Sequence, residues 1–291
     1  MEIRNIQKTG KMHYVYLPTA WCKRHKIDSS SKVFLQESSD GSILISPEKR
    51  KEEMKTINLT LPSLYKDVLI NLVMACYVNP ASSFKISFEK KTDLGSLLNQ
   101  KNMMSGLEFV DLDSENVTYE SSMSISEPDA LLKTMTKKIR NLLYVMIDNY
   151  SQSLIAKYEE EIDRSKILIQ KSVISSLTLN QPTRIKPIEL HYMLHIAIEL
   201  ERLVDYLIQF ERDEKEFLSD LVPIIDEIKD ILENISSLDY MRGIKLTKCI
   251  VDLEEYKSDS LKNANKNRIK RHLQNTAEVI LDWAITKKIE N

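Results

Sequence analysis

Glycine is scarce, at 5 residues in 291, and proline is limited to 8. That excludes collagen-like, linker-dominated and turn-rich all-β chains and favours long helices. It also leaves little material for phosphate-cradling loops, and no GxxxxGK[ST], GxGxxG or GxSxG motif occurs. The three cysteines, Cys22, Cys76 and Cys249, are odd in number and far apart, with no CxxC or histidine spacing. Neither a disulfide framework nor a zinc site is expected, and a reducing cytoplasm is the expected compartment. No apolar run approaches about 18 residues, so no transmembrane helix is expected. No apolar stretch follows Met1-Glu2-Ile3-Arg4, so no secretory signal is expected either. Charge of one sign is lacking overall, since the formal net charge is −2. Bulk charge alone therefore predicts no polyanion binding.

What is present is length and helical periodicity. The chain is about twice a usual single domain, 42% hydrophobic and 29% charged. Three domains are expected in a multidomain, mainly α protein: residues 1–50, 54–125 and 126–291. The first reads as β-rich, with strands around Ile3 and Val15–Leu17, a helical turn at Trp21–Lys26, and strands at Lys32–Gln36 and Ser42–Ser46 about a Ser39-Asp40-Gly41 turn. Such a unit is too short to bury a core alone, so it either dimerises or packs on the rest of the chain. A charged linker, 48–53, follows. Residues 54–125 give a β-α-β-α-β-β order, which suggests a small α/β sandwich. From Glu127 six helices are expected, at about 127–149, 153–179, 186–211, 214–236, 239–262 and 267–289, in two three-helix repeats. The breaks fall at Asn180-Gln181-Pro182, Ser236-Ser237 and Asn263–Lys266.

Residues 1–32 carry seven Lys or Arg (Arg4, Lys8, Lys11, Lys23, Arg24, Lys26, Lys32) against Glu2 and Asp28, a local charge of +5. Phosphate contacts need such clustering, because affinity comes largely from counterion release. Arg4 is of a type suited to a bidentate guanine contact. The charge run alone also fits a solvated basic face. The stretch Ile3-Arg-Asn-Ile-Gln-Lys-Thr-Gly10, the Val15-Tyr16-Leu17-Pro18 strand end and Asp40-Gly-Ser-Ile-Leu-Ile-Ser-Pro47 resemble the SpoVT/AbrB (MazE-like) DNA-binding domain. That resemblance implies a swapped-hairpin β-barrel formed by an obligate homodimer. Lys11-Met12-His13 and Ser29-Ser30-Ser31 depart from the usual family pattern, so operator sequence does not transfer.

On the helices, Glu201 and Asp205 are spaced i, i+4 and lie about 40° apart on one face. Leu190, Leu194, Ala197, Ile198, Val204 and Ile208 fall within about 60° of Glu201, which places both acids inside an apolar arc. Glu159 and Asp163 form a second such pair. In an antiparallel hairpin turning near Gln181 the two pairs stand nearly level, at about 1.5 Å per residue. Four converging carboxylates suit a hard cation such as iron, manganese or magnesium. Buried salt bridging by Arg164, Lys166 or Arg202 is the alternative. The segment Leu200-Glu-Arg-Leu-Val-Asp-Tyr206 resembles the Leu-Glu-Arg-Ile-Gly-Asp-His signature of the PhoU family, and Glu159-Glu-Glu-Ile-Asp163-Arg resembles its partner motif. Val204 and Tyr206 are departures. Residues 54–125 resemble the extra domain of archaeal PhoU-like regulators that carry an AbrB head.

A weaker second metal site is read at Asp252, Glu278 and Asp282, with solvated acids favoured there. His191 and His195, spaced i, i+4, read as a surface pair. Together the resemblances imply a cytoplasmic DNA-binding regulator of phosphate uptake, not an enzyme, whose helical domain binds metal and reports phosphate status. Expected partners are DNA, a second copy of the chain, and phosphate-transporter or phosphate-signalling proteins. The alternatives are an adaptor that regulates a transporter by contact alone and a metal-dependent phosphoester hydrolase.

Overall fold

The computed structural model describes residues 3–37, 41–47, 56–81, 83–91, 93–121, 127–179 and 185–290. The protein is mainly helical with small sheets. It divides into two compact units, one running to Glu53 and the other beginning at Met54. The linker expected at 48–53 and the break at 180–182 lie outside the described residues.

In the first unit, β1 (Gln7–Thr9) and β2 (Met12–Tyr14) form an antiparallel hairpin with Thr9 opposite Met12. The tight turn depends on Gly10, whose φ of +61° is a region that other residues enter at a cost. Helix α1 (Thr19–Arg24) follows Pro18, and Lys26, at φ +55°, turns the chain out of it. Asp28 then organises the next turn. Its Oδ1 accepts from the Ser30 amide, the Ser30 hydroxyl and the Ser31 hydroxyl, and these bonds hold the carboxyl down at about 2. A second hairpin pairs β3 (Phe34–Glu37) with β4 (Ile43–Ser46), Leu35 opposite Ile45. The hairpins are two separate two-stranded sheets. The barrel expected from the sequence is therefore not closed within one chain, because among the described residues no ladder joins one hairpin to the other. Among the described residues 3–47 none is buried.

The second unit opens with a four-stranded sheet. Its elements are β5 (Thr56–Leu61), α2 (Leu69–Val78), β6 (Ser83–Phe88), α3 (Gly95–Asn99), β7 (Leu107–Leu112) and β8 (Asn116–Ser121). The strand order is β5-β6-β8-β7, with β5 and β6 parallel across the α2 crossover. Alternation along β6 and β8 turns Phe84, Ile86, Val117 and Tyr119 inward onto Val73 and Tyr77 of α2. Tyr77 donates its hydroxyl to the Ser105 carbonyl at 2.7 Å.

Six long helices follow: α4 (Pro128–Asp148), α5 (Gln152–Leu179), α6 (Pro187–Leu207), α7 (Lys215–Glu233), α8 (Tyr240–Val251) and α9 (Leu261–Glu290). α5 joins the two layers, since its Ile167 and Ile174 belong to the sheet's core while Ile162, Ile169 and Val173 belong to the helical one. One continuous core runs through all six helices. The second set of three does not close on itself as the first does: α7 packs chiefly on α4, and α9 chiefly on α6.

Two helix boundaries differ from expectation. α8 stops at Val251 rather than near 262, because Lys270 of α9 donates to the Val251 and Leu253 carbonyls at 3.2 and 2.6 Å. The break expected at Asn263–Lys266 instead lies inside α9. Ser260 Oγ accepts from the Asn263 amide at 3.2 Å and caps the helix start. Asn267 holds the preceding loop at both polar groups of Tyr256. These polar residues serve caps and loop ties rather than ending a helix.

Candidate functional site

The carboxylate face lies along α5 and α6. Every fourth position repeats one face of a helix, so the i, i+4 pairs Glu159/Asp163 and Glu201/Asp205 each project together. The antiparallel register sets Glu201 as the strongest charged neighbour of Asp163, and Asp205 as that of Glu159. Burial raises all three of Asp163, Asp205 and Glu159, and the neighbouring carboxylates raise them further. Asp163 is pushed up to about 7, with Lys166 opposing the shift. Its Oδ1 is buried and has no hydrogen-bond partner.

The face is shallower than the sequence suggests. The buried residues of α6, among them Met193, Ile196, Leu200, Leu203 and Leu207, centre about 100° from Glu201. Glu201 therefore sits at the edge of the apolar arc rather than within it, and Asp205, exposed as a residue, has only its carboxyl partly shielded from water. Lys166 Nζ bonds Glu201 Oε1 at 3.1 Å, the ion pair weighed as the alternative to metal. Arg164 answers Glu160 and Glu161 instead. Among the described residues no three His, Cys, Asp or Glu side chains stand together as a metal-ligand group. The donor set suits a hard cation and Asp163 Oδ1 is unanswered, but loading would have to displace Lys166 from Glu201.

Asp163 is expected to make stability fall with rising pH. Its folded value of about 7 lies above the ordinary 3.8, so the folded state holds the proton longer. The stabilisation is complete below the ordinary value and is lost as pH climbs through about 7. Asp163→Asn is expected to raise stability at pH 8 by about 1 kcal/mol after solvent screening, and Tm by roughly 2–4 °C. It should have little effect at pH 4. Thermal melts across this range check it, and an Asn variant that melts lower at pH 8 would contradict it.

The more enclosed carboxylate is Glu199, which helical periodicity on α6 sets about 160° from Glu201. It lies on the opposite flank of the α6 apolar arc from Glu201 and faces α9. Its side chain is only 8% exposed. Oε2 meets His272 Nδ1 at 2.9 Å and accepts from Asn275 Nδ2 at 2.8 Å, while Oε1 accepts from Arg202 at 3.2 Å. Burial pushes this carboxyl up, but the bonds from His272 and Asn275, aided by the charges of His272 and Arg202, outweigh it and hold it below the usual range. The His272 ring also stacks on the Tyr206 ring at 5.6 Å, and the Arg268 guanidinium lies 5.2 Å from that Tyr206 ring. The partners of Glu199 come from a helix about 75 residues onward, so its burial does not show in the local sequence. His272, Asn275 and Thr276, set among the apolar positions Ile269, Leu273 and Ala277 of α9, were the available signal.

The weaker second set does not assemble. Glu278, Asp282 and Asp252 are exposed, and Asp252 pairs with Lys248. His191 and His195 stack on each other at 5.3 Å on the surface. The expected DNA-contacting residues Arg4, Lys8, Lys11, Lys23, Arg24 and Lys26 are all exposed on the first unit. Among the described residues no helix is long and apolar enough to cross a membrane. No family model, curated protein or solved structure matches the chain.

Proposed function

We propose that the protein is a cytoplasmic DNA-binding regulator of the PhoU type, acting in phosphate homeostasis through an AbrB-like head. The observation that carries this reading is the state of the first unit. Seven basic side chains within residues 3–47 are exposed, and Ile3, Ile6, Val15, Phe34, Leu35 and Ile43 are exposed with them. A two-stranded hairpin is marginal in water by itself. Two copies exchanging hairpins would bury the apolar faces in a swapped barrel and double the basic charge offered to DNA. The helical unit would then act as the sensor. Its α5–α6 carboxylates offer oxygen ligands to a hard cation such as manganese, iron or magnesium, which would take the place of the proton on Asp163 and of Lys166 at Glu201. Phosphate or a transporter partner would act through that ion.

A gel-shift titration against salt tests the DNA claim. Affinity is expected to fall steeply with salt, with a log–log slope of about 0.9 per phosphate contact. Arg4→Ala with Lys8→Ala is expected to weaken binding about tenfold and to flatten that slope. Binding that ignores salt and both substitutions would leave the contact-only adaptor. For the sensor, added manganese at pH 8 should raise the Tm of the wild type and leave Asp163→Asn unmoved. Equal shifts in both would dismiss the α5–α6 face as the ion's place.

A further inference from the structure

α7 and α8 stand apart from each other. α7 leans on α4, and α8 leans on α9, so closely that a Cβ at Gly243 would lie 3.0 Å from Leu281 Cδ1 and 3.2 Å from its Cα. The divergence opens a groove of about 1050 Å³ between them. Its floor is apolar, with Ile224 and Leu246 buried in the core and Leu253 packed beside it. Arg242 Nε bonds Glu227 Oε1 at 2.6 Å and ties the two helices at one end. Asp220 and Glu254 line the groove away from that tie, and both are exposed.

The rim is acidic. Five acids line the groove against two bases, Arg242 and Lys245; Glu227 pairs with Arg242 and Asp252 with Lys248, which leaves Asp220, Asp239 and Glu254 against Lys245. Asp220 and Glu254 both act on Tyr256, which marks their shared field. The lining spans Ser219 to Glu227 on α7 and Met241 to Asp252 on α8. At about 1.5 Å per residue that is two to three turns of helix. An apolar floor of this length between two helices offers anchor points at i, i+3, i+4 and i+7 of a third. The negative charge left at Asp220, Asp239 and Glu254 repels nucleic acid and anionic lipid and selects a positive partner.

We infer that the α7–α8 groove is a docking site for a basic amphipathic helix of a partner protein, whose apolar stripe packs on Pro223, Met241 and Leu253 above the buried Ile224 and Leu246 while its Lys or Arg residues meet Asp220 and Glu254. The site is separate from the α5–α6 carboxylates and does not depend on their binding metal.

The test is fluorescence anisotropy of a labelled, about 18-residue amphipathic Leu–Lys helix titrated with the full chain, beside a Leu–Glu helix of equal length. The Leu–Lys helix is expected to bind at least about tenfold tighter and to weaken with salt. Asp220→Lys with Glu254→Lys, both at exposed positions, should cost about tenfold in affinity with an unchanged melt. Glu278→Lys with Asp282→Lys, an equal charge reversal on α9, should change it less than about twofold. A bulky label on Cys249, on the groove wall, should block the peptide in a Cys22→Ser background. Equal losses from the two charge reversals would overturn the proposal as general charge attraction. Self-association of the chain abolished by Asp220→Lys with Glu254→Lys would overturn it in favour of a second copy.

Discussion

Leu35→Asp together with Ile43→Asp is expected to leave the chain monomeric and unable to hold DNA. The antiparallel register puts both residues on one face of the β3–β4 hairpin, and in the single chain they are 68% and 66% exposed. Burying a large aliphatic side chain is worth about 1.5–3 kcal/mol. Two such side chains from each of two copies then account for roughly 6 kcal/mol or more of dimer affinity, about four decades in the dissociation constant. Placing carboxylates there removes that term and adds like-charge repulsion. Because the substitutions lie in the first unit, the melt of the helical unit should stay in place. Sedimentation velocity reads the mass and a gel shift reads the DNA. A double variant that remains dimeric and binds normally would show that the hairpin face is not the contact.

Glu199→Ala is expected to destabilise the helical unit by about 3 kcal/mol, lowering its Tm by roughly 6–12 °C. The carboxylate receives His272, Asn275 and Arg202, and it is the charged partner of all three. Arg202 is half exposed and turns to water, but His272 and Asn275 lie on α9 where it packs on α6. Their partly buried donors would be left without an acceptor, which costs more than the bonds themselves contribute. Glu199→Gln keeps one acceptor oxygen and should recover about half of the loss. Urea unfolding of the two variants measures both. An Ala variant as stable as the wild type would mean that water replaces the carboxylate.

The contrast between Glu199 and Glu201 shows how far local pattern reaches. Periodicity was enough for the strands and helices of the second unit. It was also enough for the level pairing of Glu159 and Asp163 with Asp205 and Glu201, because a helical hairpin's register follows from counting residues on either side of its turn. The depth of each acid was not legible. Glu199 and Glu201 flank one apolar arc about 100° to either side of its centre, and which flank closes depends on whether α9 or α5 packs there. That is set by residues far along the chain. The early stop of α8 was hidden for the same reason, since Lys270 caps it from the next helix. In the first unit the Gly10 turn could be read locally, because only a residue tolerant of positive φ fits a two-residue hairpin there. The barrel could not be tested by reading one chain, since its closure needs strands that a single copy does not supply.

A regulator built on a shared head must be more than one chain. Native mass spectrometry of the intact wild-type protein at micromolar concentration measures this directly. The chain has a mass of 33.8 kDa. The account predicts twice that mass, or an even multiple of it, persisting without DNA or metal. A single-chain mass under those conditions would contradict it.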